Sequence, residues 1–421
     1  MSEHLIGLLL GTEDDWPTAY EEILGRVGPV RWKGATHGLR TERVINEPFD
    51  LRYAPRYRLV IDRLSWWYDL PRAWLKKISL MDDVYLLNNP FTFQAMEKHS
   101  AYCAMMRLGL KVPDTWLIPH KAPPGGSSWT AAAALERFPQ VAERYNAAFD
   151  LAEIGERVGY PLFMKPFDGG MWVGVSQATD AAQLQSAYDG SGERMMHVQR
   201  AVDGFDVFTR TLTIGAESMV MRYDPGQPQH GRYSIAHDFL TPETGFEVET
   251  ISKLVNAFFR WEMNSSETLV KGAEAHPIDY ANASPDVALT SLHYYWPWAV
   301  EALVRWSAFC CVTGRPMRIN QDTRDYFAIG DRDDLTYEEK LQEYRRLADD
   351  YHQADLYEEF VAEAIPHVHE LVVDYVESAA FDDLLVATVR ATFPSHEHEQ
   401  FVAHYRGLLG AWAGDQRAGA A

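Results

Sequence analysis

Apolar and polar positions alternate in short blocks over the first hundred residues. The apolar run His4–Leu10 predicts a buried strand, and the turn Gly11-Thr12 leads into a helical pattern around Pro17–Val27. A further strand is predicted within Asp82–Asn89, where it ends in a turn. This alternation of strand, turn and helix indicates a small α/β layer domain over residues 1–110.

The next segment has the start and stop signals of one long helix. Asn89 can accept hydrogen bonds from the free amides of a helix start, Pro90 suits the first helical position, and Gly109 follows the last turn. We therefore predict a helix from Asn89 to Gly109, with Lys98 in its middle. The later stretch Pro123–Ser128, rich in proline, glycine and serine, predicts an exposed loop or linker.

From residue 151 the pattern favours strands joined by tight turns. A short helix, Leu151–Val158, precedes the apolar strand Leu162–Pro166 and the glycine-rich segment Asp168–Gly174. The turn Asp203-Gly204 separates two further apolar runs and predicts an antiparallel meander. The later strand candidates are Met195–Val202, Phe205–Ile214, Ser218–Tyr223, and the arms Leu269–Lys271 and Glu274–Tyr280 of a hairpin at Gly272-Ala273.

The composition excludes two classes of partner. Of 421 residues, 60 are acidic and 39 are basic, a formal net charge of −21, so binding to nucleic acid or to an anionic membrane surface is not expected. The three cysteines lack the spacing of a metal site, and the first residues lack the basic head of a signal peptide. No apolar stretch approaches the roughly 20 residues that span a bilayer. We therefore predict a cytoplasmic protein of two or three packed units.

Two lysines and a glycine-rich turn are the first candidates for nucleotide chemistry. Lys165 lies inside an apolar strand, where an ammonium group must either reach solvent or meet an anion. Gly169 and Gly170 follow, and glycines let backbone amides approach phosphates without a side chain in the way. Lys98 could supply a second positive charge. Taken alone, each feature is more often a solvated lysine or an ordinary turn.

Two later segments extend this pattern. His197–Asp206 combines a strand with a turn, and His276–Asp286 carries an acid and an amide, whose oxygens are ligands that Mg²⁺ prefers. In their order along the chain, these segments and the two lysines resemble the ATP-grasp superfamily. That superfamily includes D-alanine:D-alanine ligases, glutathione synthetases and the glutamate ligases that modify ribosomal proteins. The resemblance covers about residues 5–300.

The resemblance implies an ATP-grasp fold of the α/β (α+β) class, with ATP between two antiparallel sheets. It implies four segments: an N-terminal α/β domain at 1–110, a small lobe with the glycine-rich loop at 111–205, a large lobe with the metal site at 206–330, and a helical C-terminal extension at 331–421. The charged amphipathic helical pattern of residues 335–409 agrees with the last of these.

The resemblance also implies which residues would bind the nucleotide. Lys98 and Lys165 would contact phosphates, with the backbone of Gly169 and Gly170 closing over them. The implied contacts to the adenine edge and the ribose hydroxyls are Gln199, Arg200 and Val202 for adenine, and Asp206 for the ribose.

The same resemblance implies a magnesium site, in which Mn²⁺ is an alternative ion. Its ligands would be Glu267, Asp279 and Asn282, with Glu262 as a second choice for the first acid. The family has Glu-x-Asn followed by Pro-Gly, whereas this chain has Asp-x-x-Asn followed by Pro-Asp. Which oxygen of the segment is the ligand therefore stays open.

The implied reaction joins a carboxylate to an amine through an acyl phosphate, with release of ADP and phosphate. Arg210 and Arg222 are candidates for neutralising the negative charge of the acyl phosphate. The substrates would be amino-acid-like small molecules, and a homo-oligomer is one open possibility. Two alternatives are an ATP-grasp phosphotransferase and a nucleotide-binding protein without turnover.

The C-terminal helical segment carries several histidines among acids. Their spacing matches no metal-binding helix motif, so a solvated or interface helix is the favoured interpretation over a metal site. The histidines are His367, His369, His396, His398 and His404.

Overall fold

The computed structural model describes residues 2–121, 140, 149–170 and 172–419. The predicted loop Pro123–Ser128 lies outside the described residues. The strands of the described part are β1 (Ser2–Leu9), β2 (Val30–Trp32), β3 (Ala35–Arg43), β4 (Leu59–Asp62), β5 (Tyr85–Leu87), β6 (Thr115–Ile118), β7 (Leu162–Pro166), β8 (Ser176–Ala178), β9 (Met196–Arg200), β10 (Val207–Ile214), β11 (Glu217–Tyr223), β12 (Tyr233–Ser234), β13 (Met263–Lys271) and β14 (Glu274–Asn282).

The α-helices of the described part lie mostly after residue 240. They are α1 (Asp15–Val27), α2 (Asp69–Met81), α3 (His99–Arg107), α4 (Leu151–Val158), α5 (Ala181–Asp189), α6 (Pro242–Phe259), α7 (Leu289–Leu292), α8 (Trp296–Thr313), α9 (Arg324–Gly330), α10 (Tyr337–His352), α11 (Ala354–Ala364), α12 (Val368–Val376), α13 (Ala379–Thr392) and α14 (His398–Ala418). Among the described residues, no helix is both long enough and apolar enough to cross a lipid bilayer.

The described strands form three sheets, with the orders β2-β3-β1-β4-β5, β6-β9-β7-β8 and β12-β11-β10-β13-β14. The predicted α/β class is therefore confirmed. The chain divides into two compact units. The first unit comprises Met1–Phe93, Phe208–Glu267 and Asn282–Ala421, and the second comprises Gln94–Val207 and Thr268–Ala281.

The first unit contains a largely parallel sheet. β1 pairs in parallel with β3 and with β4, and β4 pairs in parallel with β5, while the short β2 is antiparallel to β3. The apolar run predicted to be a buried strand is β1, in which Ile6, Leu8 and Leu9 are fully buried. One core cluster of this unit consists of Leu9, Val60, Leu75, Ile78, Val84 and Leu86.

The second unit contains an antiparallel sheet covered on one face by α4 and α5. Because successive residues of a strand point to opposite faces, Leu162 and Met164 of β7 pack in the apolar core under these helices, and Lys165 lies on the other face. α4 begins where the Asp150 carboxylate accepts hydrogen bonds from the amides of residues 152 and 153. β7 and α4 have the bounds predicted from the sequence.

Two predictions about these elements are wrong. The long helix from Asn89 to Gly109 is divided: a 3₁₀ turn at Phe93–Glu97 is followed by Lys98 at φ +63°, and α3 begins only at His99. The Asn89 side chain does not cap α3, because its oxygen accepts from the amide of residue 91 and its amide donates to the carbonyl of residue 319. The predicted meander also fails, because β9 and β10 belong to different sheets.

Candidate functional site

Lys165 is a buried cation on the polar face of the second unit's sheet. The residue is 8% exposed, and its Nζ donates to Oε1 of Gln199 at 2.7 Å and to the carbonyl oxygen of Ile278 at 3.3 Å. Gln199, itself 1% exposed, donates its amide to Oγ1 of Thr115 at 2.9 Å. The ammonium group is thus held by contacts from β9 and β14, and Thr115 of β6 orients the Gln199 side chain.

Lys98 provides a second buried ammonium group in the same unit. Its Nζ donates to the carbonyl oxygen of Gly169 at 2.9 Å and forms an ion pair with Oδ2 of Asp279, also at 2.9 Å. Its backbone has φ +63° and ψ −38°, which is unfavourable for a residue with a Cβ atom. The structure therefore brings together a predicted phosphate ligand, the predicted phosphate loop and a predicted metal ligand.

The glycine-rich segment after β7 is exposed and adopts backbone conformations that favour glycine. Gly169 has φ +97° and Gly174 has φ +78°, both in the left-handed half of the φ range. Gly170 is exposed, and a Cβ built on it would meet nothing within 4 Å. The backbone of this segment is thus open to solvent, as binding of phosphates would require; Met171 within it lies outside the described residues.

The four residues predicted to contact adenine and ribose differ in burial and in their hydrogen-bond partners. Gln199 faces Lys165, as described above, whereas Arg200 is exposed and donates from Nε to the carbonyl oxygen of Val158 at 2.6 Å. Val202 is half-buried after the end of β9. The exposed Asp206 accepts a hydrogen bond from the Gly272 amide at 2.7 Å, which ties it to the turn between β13 and β14. Of these four residues, Gln199 bonds directly to a predicted phosphate ligand, Lys165.

Two histidines, which the sequence did not single out, lie beside these lysines. The rings of His99 and His197 are stacked with centroids 5.5 Å apart, and Phe167 stacks on His197 at 5.8 Å. Burial lowers the pKa of His197 to about 3, with further lowering by the charges of His99, Lys165 and Lys98. His197 is therefore neutral at physiological pH, and it adds no positive charge to the site. The only sequence signal was its position two residues before Gln199.

Arg210 and three further residues form a second polar set, in the first unit. Arg210 lies 3.7 Å from a Glu267 oxygen and donates to Oγ of Ser265 at 3.4 Å, while the Asn282 amide donates to the same Oγ at 3.2 Å. Burial by itself would lower the pKa of Arg210, but Tyr233 and Glu267 raise it overall above its ordinary value. The guanidinium therefore stays charged.

Arg222 and Glu262 are not part of this set. Arg222 is exposed and pairs with Thr209, whereas Arg210 pairs with Met221, so the two arginines lie on opposite faces of the sheet. Glu262, the second choice for a metal ligand, is 1% exposed and accepts from the Tyr351 hydroxyl at 2.6 Å. Burial raises the pKa of Glu262, which further disfavours its role as a metal ligand.

Tyr280 occupies the position two residues before Asn282, where the ATP-grasp pattern has its glutamate. The residue is 1% exposed, its hydroxyl donates to the carbonyl oxygen of Ala101 at 3.2 Å, and its ring packs against Tyr102. Its side chain cannot replace a carboxylate ligand. Counting back from Asn282 in the sequence would have revealed this substitution.

The predicted metal ligands fit a hard divalent cation by their chemistry. Asp279 and Glu267 offer carboxylate oxygens, the former on a side chain 34% exposed, and Asn282 offers an amide oxygen. Among the described residues, no group of three or more histidine, cysteine, aspartate or glutamate side chains could hold a metal ion. Mg²⁺ usually completes its coordination with phosphate oxygens and water, so each of these side chains could serve as a ligand without a full protein cage.

Comparisons with known proteins give structural matches only. No family model matches the chain, and no curated protein matches it. D-alanine–D-alanine ligase from Bacillus anthracis, complexed with ATP, is 12% identical with a TM-score of 0.47, and the match covers 84% of this chain and 99% of that one.

Two further solved structures are of the same kind. Macrocyclase MdnC from Microcystis aeruginosa, bound with precursor peptide MdnA, is 12% identical with a TM-score of 0.46, over 72% of this chain and 98% of that one. A RimK domain ATP-grasp protein from Sphaerobacter thermophilus is 12% identical with a TM-score of 0.43, over 68% and 93%. At this identity the likeness concerns fold alone, and it identifies neither a substrate nor a site residue.

Proposed function

We propose that the chain is an ATP-dependent ligase of the ATP-grasp type, which activates a carboxylate as an acyl phosphate and joins it to an amine. The observation that carries the proposal is the convergence of Lys98, Gly169 and Asp279 beside Lys165 and Gln199 in the second unit. Lys98 and Gly169 are 71 residues apart in the chain. A shared structural role alone would not require two buried ammonium groups next to an open glycine-rich turn.

In this proposal each residue contributes position and charge. Lys165 and Lys98 hold the phosphates of ATP and neutralise charge as the γ-phosphoryl group moves to the substrate carboxylate. Asp279, Glu267 and Asn282 would hold Mg²⁺, which supplies further neutralisation when bound. Arg210 remains the candidate for stabilising the acyl phosphate, and no protein nucleophile is required. Arg222 is exposed and lies on the opposite face of the sheet from Arg210, so it is the poorer candidate for that role.

The test measures ADP release with pairs of amino-acid-like carboxylates and amines, followed by mass spectrometry of the product. Lys165→Ala and Asp279→Ala should each reduce carboxylate-dependent ADP release by at least about 100-fold, and a cooperative melting transition is the check that each variant is folded. Lys121→Ala is a matched control, because Lys121 is a 44% exposed lysine of the same unit, paired with Asp189. Wild-type rates in either site variant would refute the proposal.

A nucleotide-binding protein without turnover is the second candidate, and Tyr280 favours it. A tyrosine in place of the family's glutamate removes one carboxylate from the predicted metal site. The same assay separates the two functions, because this candidate binds ATP but releases no ADP with any substrate pair. Phosphate transfer to a hydroxyl without an amine would instead indicate the phosphotransferase alternative.

A further inference from the structure

The Lys98 ammonium group already has an anionic partner in this structure. Its side chain is 9% exposed, and the Asp279 oxygen 2.9 Å away belongs to a carboxylate that is 34% exposed. An ammonium group has three donors, and two of them are directed to Asp279 and to the Gly169 carbonyl. A phosphate that approached Lys98 would therefore meet a neutralised cation beside a negative carboxylate.

A divalent cation resolves this conflict. The more exposed carboxylate of Asp279 can exchange Lys98 for a metal ion, since hard cations prefer carboxylate oxygens. After this exchange, the Lys98 ammonium group can donate to a phosphate oxygen. The bound metal ion also neutralises the Asp279 carboxylate, which would otherwise repel the phosphate. Nucleotide and metal would then assist each other's binding through one pair of side chains.

The first unit contains a second pair of the same kind. Arg210 lies 3.7 Å from Glu267, and these side chains are 17% and 13% exposed. In each unit, considered separately, a predicted anion-binding cation is thus paired with a predicted metal ligand. Pairing of a predicted anion-binding cation with a predicted metal ligand is therefore not confined to Lys98.

We propose that Asp279 is a specificity-determining residue that makes nucleotide binding conditional on a divalent cation, by holding Lys98 until the metal replaces it. This proposal rests on the proposed function. The Asp279 carboxylate would then have opposite effects on the two forms of the nucleotide: it weakens binding of metal-free nucleotide and strengthens binding of the metal-bound form.

Calorimetric titration with ATP, in EDTA and in excess Mg²⁺, tests this sign without relying on turnover. Asp279→Asn removes the charge and keeps the size of the side chain. We expect it to tighten ATP binding in EDTA about tenfold and to abolish most of the tightening that Mg²⁺ gives the wild type. Glu274→Gln is the matched control, because this 60% exposed acid lies on the same strand and interacts with Lys111 and His276 instead of Lys98.

A double-mutant cycle assigns the effect to the ion pair. Lys98→Met should remove the gain in EDTA when it is combined with Asp279→Asn, because no ammonium is left to release. Equal or weaker ATP binding by Asp279→Asn in EDTA, or an equal gain in Glu274→Gln, would overturn the proposal. Melting curves confirm that each variant is folded, and Asp279→Ser replaces Asp279→Asn if that variant is not. Absence of ATP binding by the wild type in Mg²⁺ would instead refute the proposed function.

Discussion

His197 gives the candidate site a dependence on pH at the scale of a single residue. Its ring stacks on the rings of His99 and Phe167, which also contact each other, and burial lowers the pKa of His197 to about 3. In the unfolded chain its pKa returns to about 6.5. As the pH falls below about 6.5, the His197 ring binds a proton in the unfolded chain but stays neutral in the folded protein. The free energy of unfolding therefore decreases progressively between pH 6.5 and pH 3.

We therefore predict that a variant without this imidazole loses stability less steeply in acid. His197→Phe keeps an aromatic ring in the stack and cannot take up a proton. Urea unfolding at pH 7.5, 6, 5 and 4 should show a smaller decrease in the free energy of unfolding than for the wild type. For each pH unit over which only the unfolded state binds the proton, the wild type loses about 1.4 kcal/mol. His396→Gln, at a 77% exposed histidine, is the control. Parallel curves for His197→Phe and the wild type would contradict this account.

At the same scale, the sequence predicts single residues only where their neighbours in the chain reveal them. Lys165 is conspicuous because its flanking residues are apolar, and the structure buries it. The pairing of Lys98 with Asp279 leaves no local signal, because the two residues meet only through tertiary structure. The burial of Glu262 beneath Tyr351 was equally hidden, since the tyrosine is 89 residues away.

At the scale of elements, two hairpins with the same turn residues make a matched pair. Gly215-Ala216 joins β10 to β11, and Gly272-Ala273 joins β13 to β14, with φ +56° and +59° at the glycines. A Cβ atom at Gly215 would overlap the Trp306 ring, whereas one at Gly272 would meet nothing within 4 Å. Both positions carry the conformational cost of a side chain at positive φ, and only the first adds a steric conflict.

We predict that Gly272→Ala costs about 1 kcal/mol of stability and that Gly215→Ala costs about 2 to 4 kcal/mol. The difference is the cost of moving Trp306, a fully buried side chain. Urea unfolding of the two variants and of the wild type measures both losses in the free energy of unfolding, provided that its dependence on urea concentration is the same for all three proteins. Equal losses for the two glycines would show that the Trp306 contact does not constrain the turn.

Elements were predictable where their signals are local. α4 has a capping aspartate and a terminal glycine, and β7 is a short apolar run after a proline, so both have the bounds that the sequence predicted. The helix expected at residues 89–109 failed because Asn89 bonds elsewhere and the Lys98 side chain is drawn to Gly169 and Asp279. Capping residues indicate where a helix can start, and tertiary contacts decide where it does.

At the scale of the whole molecule, the C-terminal helices do not form a separate appendage. They belong to the first unit, in which α10 packs on α6, and α12 packs on α1 and α8. Phe360 of α11 is fully buried, with its ring against Trp32 and Phe309. The sequence predicted these helices from their periodicity, but amphipathic periodicity does not reveal which surface the apolar face covers.

We therefore predict that a chain ending at Gly330 does not fold. Removal of residues 331–421 would expose the apolar surfaces of α1, α6 and α8. It would also leave the buried Arg315 without its hydrogen bond to the Tyr351 carbonyl oxygen. Exposed apolar surface of this extent favours aggregation. The measurement is the yield of monodisperse protein and its near-ultraviolet circular dichroism. Arg346→Ala, on the exposed face of α10, should behave like the wild type. A truncated chain with a cooperative melting transition would show that these helices are dispensable for the fold.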